Sequence, residues 1–290
     1  MILVTGGSGQ VARALEALAG NRPVRRVGRP EFDFDHPETV LTTLGSARPS
    51  IVINAAAWTA VDAAETNAEA AARANRDGPA LIAQYCAEHE VPLVQISTDY
   101  VFNGAKGTPY LETDAPNPIG VYGATKRAGE QAVLATCPRA LVVRTSWVYA
   151  ATGRNFVLTL LNAAKKTNRL RVVADQRGSP TAAPALATAL LNIADAIADG
   201  WRNEYAGLYH ACGTGDTTWH GLATALFEEA ARHGVAGPAL EPITTADWPT
   251  PVRRPADSRL DCGRLARVFG IFLPDWRESL ANVLDDVLIS

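Results

Sequence analysis

Ile2-Leu3-Val4-Thr5-Gly6-Gly7-Ser8-Gly9-Gln10-Val11-Ala12 opens the chain with an apolar run, a glycine-rich turn and the start of a helix-forming stretch at about 13–19. A short run of aliphatic residues without alternation is what a strand buried on both faces of a parallel sheet requires. Strand, glycine turn and helix in that order form the context of a dinucleotide-binding fingerprint. Gly6 and Gly9 let the backbone approach a pyrophosphate, whose charge then rests on the helix N-terminus at Gly9, Gln10 and Val11. Ala12 stands at the third small-residue position, where helix and strand pack closely. A tight bend with no ligand would look similar, so the segments that follow decide.

Further buried runs come at 24–27, 51–53, 91–96 and 141–144, separated by helix-forming stretches at about 36–45, 62–88 and 124–135. This alternation predicts an α/β fold, a Rossmann-type doubly wound parallel sheet with helices on both faces. It spans residues 1–146, with roughly 173–206 returning to it, and the rest of 147–290 forms a smaller C-terminal substrate-binding lobe. In the second half of the chain, helices are expected at about 155–167, 184–198, 219–233 and 274–288, and strands at 170–173 and 208–211. Residues 103–120 are a long loop of glycine, proline and polar residues, a length that in a compact domain usually carries function.

Ligands of such sheets bind outside the carboxyl ends of the strands, which makes the residues there candidates. The second run ends in Gly28-Arg29, where a free ribose 2′-hydroxyl calls for an acid and a 2′-phosphate for an arginine. The acid is missing, which points to NADPH over NADH; the alternative for Arg29 is an ordinary solvated charge. Asp33 and Phe34 follow where they can flank an adenine, and Asn54-Ala55-Ala56-Ala57 leaves room for a ribose and diphosphate. Thr98, after the fourth run, has a hydroxyl that can donate to a carbonyl or share a proton with Tyr122; a helix cap is its other use. Arg253-Arg254 lie on a proline-rich loop and suit the phosphate oxygens of a ligand, unless they only aid solubility.

Tyr122 and Lys126 are four residues apart, so a helix brings phenol and ammonium to one face. A free phenol with a pKa of about 10 is a poor acid at neutral pH, and a nearby ammonium favours its anion. The chain holds four lysines among its 27 basic residues, so Lys at this position stands out against an arginine background. A solvated pair on a helix surface is the plain alternative.

A net charge of −3 and a pI near 6.0 give no electrostatic case for nucleic acid or an anionic membrane. No apolar run reaches the roughly 18 residues of a membrane span, and the first residues lack the pattern of a signal peptide, so a cytoplasmic location is expected. Cys86, Cys137, Cys212 and Cys262 are scattered without a C-x-x-C pair, which predicts neither disulfides nor zinc.

Thr5-Gly6-x-x-Gly9-x-x-Ala12, Asn54-Ala55-Ala56-Ala57, Ser97-Thr98-Asp99-Tyr100-Val101-Phe102, Tyr122-x-x-x-Lys126 and Arg144-Thr145-Ser146-Trp147-Val148-Tyr149 together resemble the dTDP-4-dehydrorhamnose reductase family of extended short-chain dehydrogenases. The likeness continues through Gly178-Ser179-Pro180-Thr181, Gly207-Leu208-Tyr209-His210 and Thr218-Trp219, nearly the whole chain. It implies NADPH reduction of a dTDP-4-keto-6-deoxysugar at C4, with Tyr122 as catalytic acid and Lys126 on the nicotinamide ribose. Gly9, Gln10 and Val11 would hold the cofactor diphosphate, and Ala57, Trp58 and Thr59 its ribose side. Thr98 and Asp99 would contact the sugar, Thr98 tuning proton transfer, and Trp147 would pack against it. Some relatives place a divalent metal at a dimer contact; the matching positions here are Ala14 and Pro184, so Mg²⁺ is not expected and a monomer or weak homodimer is. Tyr100 beside Asp99 weighs against a dehydratase. A reductase of another 4-keto sugar and a non-catalytic regulatory subunit stay open.

Overall fold

The computed structural model of the chain describes residues 1–289. Six parallel strands form one sheet in the order Gly207–His210, Ala140–Thr145, Leu93–Thr98, Ile51–Asn54, Ile2–Thr5 and Val24–Val27. Side chains alternate between its faces. Ile2, Val4, Ile51, Ile53, Leu141 and Val143 join one apolar cluster with Leu15, Leu186 and Leu190 from helices Gln10–Ala17 and Ala183–Ala198. Leu3, Val52, Leu93 and Val142 join the other with Val40, Leu44, Ile82 and Val133 from helices Pro37–Ala47, Gly78–Glu88 and Val121–Thr136. Because both faces are covered, the strands carry unbroken apolar runs.

The chain runs outward from the first strand to the second, then returns to the first strand's other side for the third. At this reversal a Cβ on Gly6 would lie 2.8 Å from the Ala55 carbonyl oxygen, so the two turns meet at backbone distance. Such a reversal opens a crevice for ligand. A second core of Tyr149, Val157, Leu161, Leu226, Trp276 and Leu280 belongs to the smaller lobe. Helices Phe156–Ala164, Trp219–Arg232 and Trp276–Leu288 surround it, with the parallel strand pair Arg169–Val173 and Ala239–Ile243. No helix among the described residues is long and apolar enough to cross a membrane.

Three features depart from the sequence reading. The helix expected over 62–88 is broken into Val61–Ala64, Ala68–Ala72, a π-helical segment Arg73–Asp77 and Gly78–Glu88. Thr66 Oγ1 and Asn67 Nδ2 donate to the Ala63 carbonyl at 3.3 and 2.8 Å and close the first turn, and Pro79 has no N–H to continue the ladder regularly. The strand near 208, expected in the smaller lobe, is the sixth strand of the large sheet, because helix Ala183–Ala198 crosses back over the sheet and delivers it beside Ala140–Thr145. Strand Ala239–Ile243 and helix Gly263–Phe269 were not foreseen; Pro238 and Pro242 obscure the first and seven residues are too few to show the second.

One buried ion pair ties the sheet to the helix that carries Tyr122 and Lys126. Arg144 donates through Nε and Nη2 to the two carboxylate oxygens of Glu130, both at 2.7 Å, and neither side chain is exposed. Ser97 Oγ adds a third donor at 2.6 Å. Breaking a buried pair by removing one charge leaves the other uncompensated, at about 3–5 kcal/mol. Glu130→Gln keeps the shape and strands the guanidinium, so urea denaturation should show a loss of about 3 kcal/mol or more. A loss under about 1 kcal/mol would mean the pair contributes little beyond its hydrogen bonds.

Candidate active site

Helix Val121–Thr136 starts at Gly120, and the Val121 N–H donates to Glu65 Oε1 at 2.8 Å, an acid placed at the positive end of the helix. Its other end of contact is the π-helical segment. A Cβ on Gly129 would lie 2.0 Å from the Asn75 carbonyl oxygen, so only glycine allows the two to lie together. The wide turn aims the buried Asn75 amide inward, where it accepts from the Trp58 N–H at 2.9 Å and donates to the Trp58 carbonyl at 3.2 Å and to Thr125 Oγ1 at 3.1 Å.

Lys126 is buried, and its Nζ donates to the Ile96 carbonyl at 2.7 Å. Burial brings its pKa down to about 8, partly offset by the charge of Glu130. Burial also pushes the Tyr122 phenol up to about 12, opposed by a hydrogen bond with Thr98. This corrects the sequence argument, in which the ammonium was to favour the phenolate. Desolvation is the larger effect here, and the ammonium is held by a backbone carbonyl. The resting state is therefore a neutral phenol with a proton to give.

Thr98 makes the cap that was the alternative reading of its hydroxyl. Its Oγ1 accepts from the Tyr100 N–H at 3.2 Å, a cap, and donates to Asp99 Oδ1 at 3.1 Å. The hydroxyl has one proton, contested between Asp99 and the Tyr122 oxygen. Asp99 is buried, its carboxyl pushed up to about 6 by burial against hydrogen bonds from Ser258 and Thr98, and its Oδ2 has no protein partner. Tyr100 meets the Tyr122 ring edge-on, with centroids 5.6 Å apart. The Arg254 guanidinium lies 6.0 Å from the Tyr100 ring and donates to Asp62 Oδ2 at 2.8 Å, while its Nη1 has no partner. Arg254 thus reaches the same cluster from 150 residues further along the chain than Gly104, whose Cβ position is filled by Pro255 of the same segment.

Trp147 follows Thr145, which pairs with Thr98, so it leaves the sheet at the same edge. Its φ of +49° is a left-handed conformation rare for an aromatic residue. The ring stacks on Trp219 with centroids 3.5 Å apart and lies against Gly178. Trp219 Nε1 in turn donates to Gln176 Oε1 at 3.1 Å.

At the cofactor end, Gly6 and Gly7 take φ values of +107° and +47°, and Gly9 caps helix Gln10–Ala17 without a side chain to occupy its first N–H groups. A turn whose inner side is packed to backbone distance, leading to an uncapped helix start at Gly9, Gln10 and Val11, fits a dinucleotide diphosphate. The Gln10 side chain is turned elsewhere: Asn155 Nδ2 donates to its Oε1 at 2.8 Å, linking this helix to the smaller lobe. Ala57 and Trp58 are half-buried and Thr59 is exposed. The acid found missing after the second strand is supplied by the fold. Arg29 Nε donates to Asp33 at 2.9 Å and Nη2 to Asp35 at 2.8 Å, so the absence of acids cannot be the argument for a 2′-phosphate. Phe34 packs edge-on against Phe32 and against Gly78.

The model of the RmlD substrate binding domain matches residues 1–289. The chain belongs to that family. It is 41% identical to a dTDP-4-dehydrorhamnose reductase of Sinorhizobium fredii, over 99% of this chain and 98% of that one. It is also 41% identical to a Streptomyces antibioticus protein described as a probable dTDP-4,6-dihydroxy-2-methyloxan-3-one 4-ketoreductase, over 99% and 95%. Among solved structures, a dTDP-4-dehydrorhamnose reductase of Bacillus anthracis in complex with NADP superposes with a TM-score of 0.90 at 31% identity, covering 98% of each chain. One of Clostridium acetobutylicum does so with a TM-score of 0.90 at 34% identity and the same coverage. Asn75, Glu65, Ser258 and Gln176 escaped the sequence reading. Asn75, a weak helix former in an alanine-rich helix, was the one with a visible signal.

Asp99 makes stability pH-dependent in a defined sense. A carboxyl raised to about 6 in the fold, from about 4 when unfolded, favours folding most when protonated, and that contribution is lost as pH rises through about 6. Asp99→Asn removes the charge, so it should raise the melting temperature at pH 8, by on the order of 2 kcal/mol in stability, and change little at pH 4. Equal effects at both pH values in thermal melts would show that Asp99 is not held against ionisation.

Proposed function

We propose that the chain catalyses the NADPH-dependent reduction of the C4 keto group of dTDP-4-dehydro-6-deoxy-L-mannose (dTDP-4-dehydrorhamnose) to dTDP-L-rhamnose. The carrying observation is that Tyr122 and Lys126 share one helix packed at the carboxyl edge of the sheet, where Thr98 ends its strand, in a chain with full-length relatives of that name. NADPH, when bound along the glycine turn, supplies the hydride. Tyr122 gives its proton to the oxygen at C4 as charge develops there. Lys126, held at one N–H by Ile96, has two N–H groups left for a ribose, and its charge favours the phenolate left behind. Thr98 turns its single proton from Asp99 toward Tyr122 as that phenolate forms. Asp99 and Trp147 border the sugar, and Nη1 of Arg254, buried without a protein partner, is left for the substrate's diphosphate.

The Streptomyces relative, equally similar over the full length, favours a second reading in which the substrate is another dTDP-4-keto-6-deoxysugar. Comparing kcat/KM for the two ketosugars separates them. Joint retention of Thr98, Tyr122 and Lys126 in one cluster supports turnover over a purely regulatory role. For assembly we propose a cytoplasmic monomer or weak homodimer with no metal at the contact: Ala14 packs on the apolar core beside helix Ala183–Ala198, whose first turn holds Pro184, and neither residue offers a carboxylate.

Tyr122→Phe should still bind NADPH while turnover falls by roughly 10²–10⁴-fold, as expected for loss of a general acid. Wild-type turnover should fall as pH rises through about 8, where Lys126 loses its proton. Lys126→Arg should be nearly as inactive as Lys126→Met, because a planar fork cannot occupy the position of a compact ammonium. Normal rates in either Tyr122→Phe or Lys126→Arg would remove the pair from the chemistry. For the cofactor, Arg29→Ala should weaken NADPH binding by about 1.5–3 kcal/mol and leave NADH nearly unchanged. Equal weakening of both in fluorescence titrations would confine Arg29 to its contacts with Asp33 and Asp35.

A further inference from the structure

Two cysteines that lie far apart in the sequence meet beside the substrate side of the crevice. Cys212 follows the sixth strand of the sheet, and Cys262 ends the segment that carries Arg254 and Ser258. Their sulfurs are 3.4 Å apart, and both face the Leu260 carbonyl oxygen, at 3.9 and 4.0 Å. A disulfide spans about 2.05 Å, so the pair has to close by about 1.4 Å. Cys212 is buried and Cys262 is partly exposed, so Cys262 is the more accessible of the two.

The two ends belong to different parts of the structure. Cys212 is fixed to the sheet, since the Ala211 N–H donates to the Arg144 carbonyl at 2.9 Å and the Gly213 N–H to Thr181 Oγ1 at 3.2 Å. The segment 252–262 lies across the substrate side: Arg254 over Tyr100, Ser258 on Asp99, and Leu260 in a bridge with Tyr110. Under the proposed function, on which this inference rests, the sugar meets Thr98 and Asp99, and Ser258 of this segment already engages Asp99.

We propose that Cys212 and Cys262 form a thiol–disulfide site, oxidised by low-molecular-weight disulfides, whose closure clamps the 252–262 segment onto the sheet and restricts entry of the sugar nucleotide. The hydrogen bond between the two thiols, with burial behind it, raises Cys212, and the same bond holds Cys262 below the usual thiol range; together with its greater exposure this makes Cys262 the nucleophile. The Cys262 thiolate attacks one sulfur of the reagent and releases the other as a thiolate. Cys212 then gives up its proton and displaces the remaining reagent sulfur, forming the Cys212–Cys262 bond. Two protein thiols are oxidised and one disulfide is reduced to two thiols.

The test is incubation of the full chain with oxidised glutathione, followed by alkylation, intact mass and peptide mapping. The expected result is loss of two free thiols, a link between the peptides containing residues 212 and 262, and turnover that falls several-fold with KM for the sugar nucleotide raised and NADPH affinity kept. Dithiothreitol should reverse all three. Cys262→Ser, at a partly exposed position outside the catalytic cluster, should keep basal turnover and lose the response. The mapped link is read independently of sugar reduction, so its failure is distinguishable from failure of the proposed activity. Absence of the link, a link with unchanged turnover, or inhibition that persists in Cys262→Ser would each overturn the proposal.

Discussion

The buried pair of Glu130 and Arg144 is the contact on which the arrangement of the site depends. Apolar packing holds helix Val121–Thr136 on the sheet, but it is non-directional and tolerates small slips. Two charge-assisted bonds from one guanidinium, plus the Ser97 hydroxyl from the neighbouring strand, tolerate far less. The same Arg144 lies 5.0 Å from the Phe102 ring centroid and within 3.5 Å of His210 Nε2. Burial, with the Arg144 charge second, brings His210 down to about 3 and keeps it neutral. Three strands of the sheet are thereby referenced to the helix that presents Tyr122.

Desolvation governs the chemistry of the cluster. Tyr122 and Asp99 are pushed up and Lys126 down, each toward its uncharged form. In water the same groups would sit near their ordinary values and a tyrosine would have no reason to work with a threonine. In the crevice every proton position depends on one or two neighbours, and Thr98 stands between the two acids. Strain is concentrated nearby: the left-handed Trp147 is held by its stacking on Trp219, a contact between the sheet edge and the smaller lobe.

The family likeness and the geometry support one another at different levels. The likeness spans the whole chain and names the type of reaction carried out by the relatives. The geometry supplies what a likeness cannot: which proton is contested, which charge is already engaged, and where a backbone must be glycine.

Much was legible without coordinates because local physics set it. Unbroken aliphatic runs, a glycine turn and helix formers in alternation leave few options other than a parallel sheet with helices on both faces, and the four-residue spacing of Tyr122 and Lys126 puts them on one helix face whatever surrounds them. The place of Thr98 at a strand's carboxyl end was legible as well, whereas a sugar contact for Asp99 was implied only by the family resemblance. What burial and long-range contact determine was not legible. The direction of the Tyr122 shift depends on how dry the phenol is; the engagement of Arg29 depends on a turn that brings Asp33 and Asp35 back to it. Asn75 enters the site only because a π-helical turn rotates it inward. Ser258 and the Cys212–Cys262 contact arise where a late segment crosses the sheet edge. Sequence spacing sets which side chains share an element, whereas dielectric environment and the meeting of distant segments exist only once the chain has closed on itself.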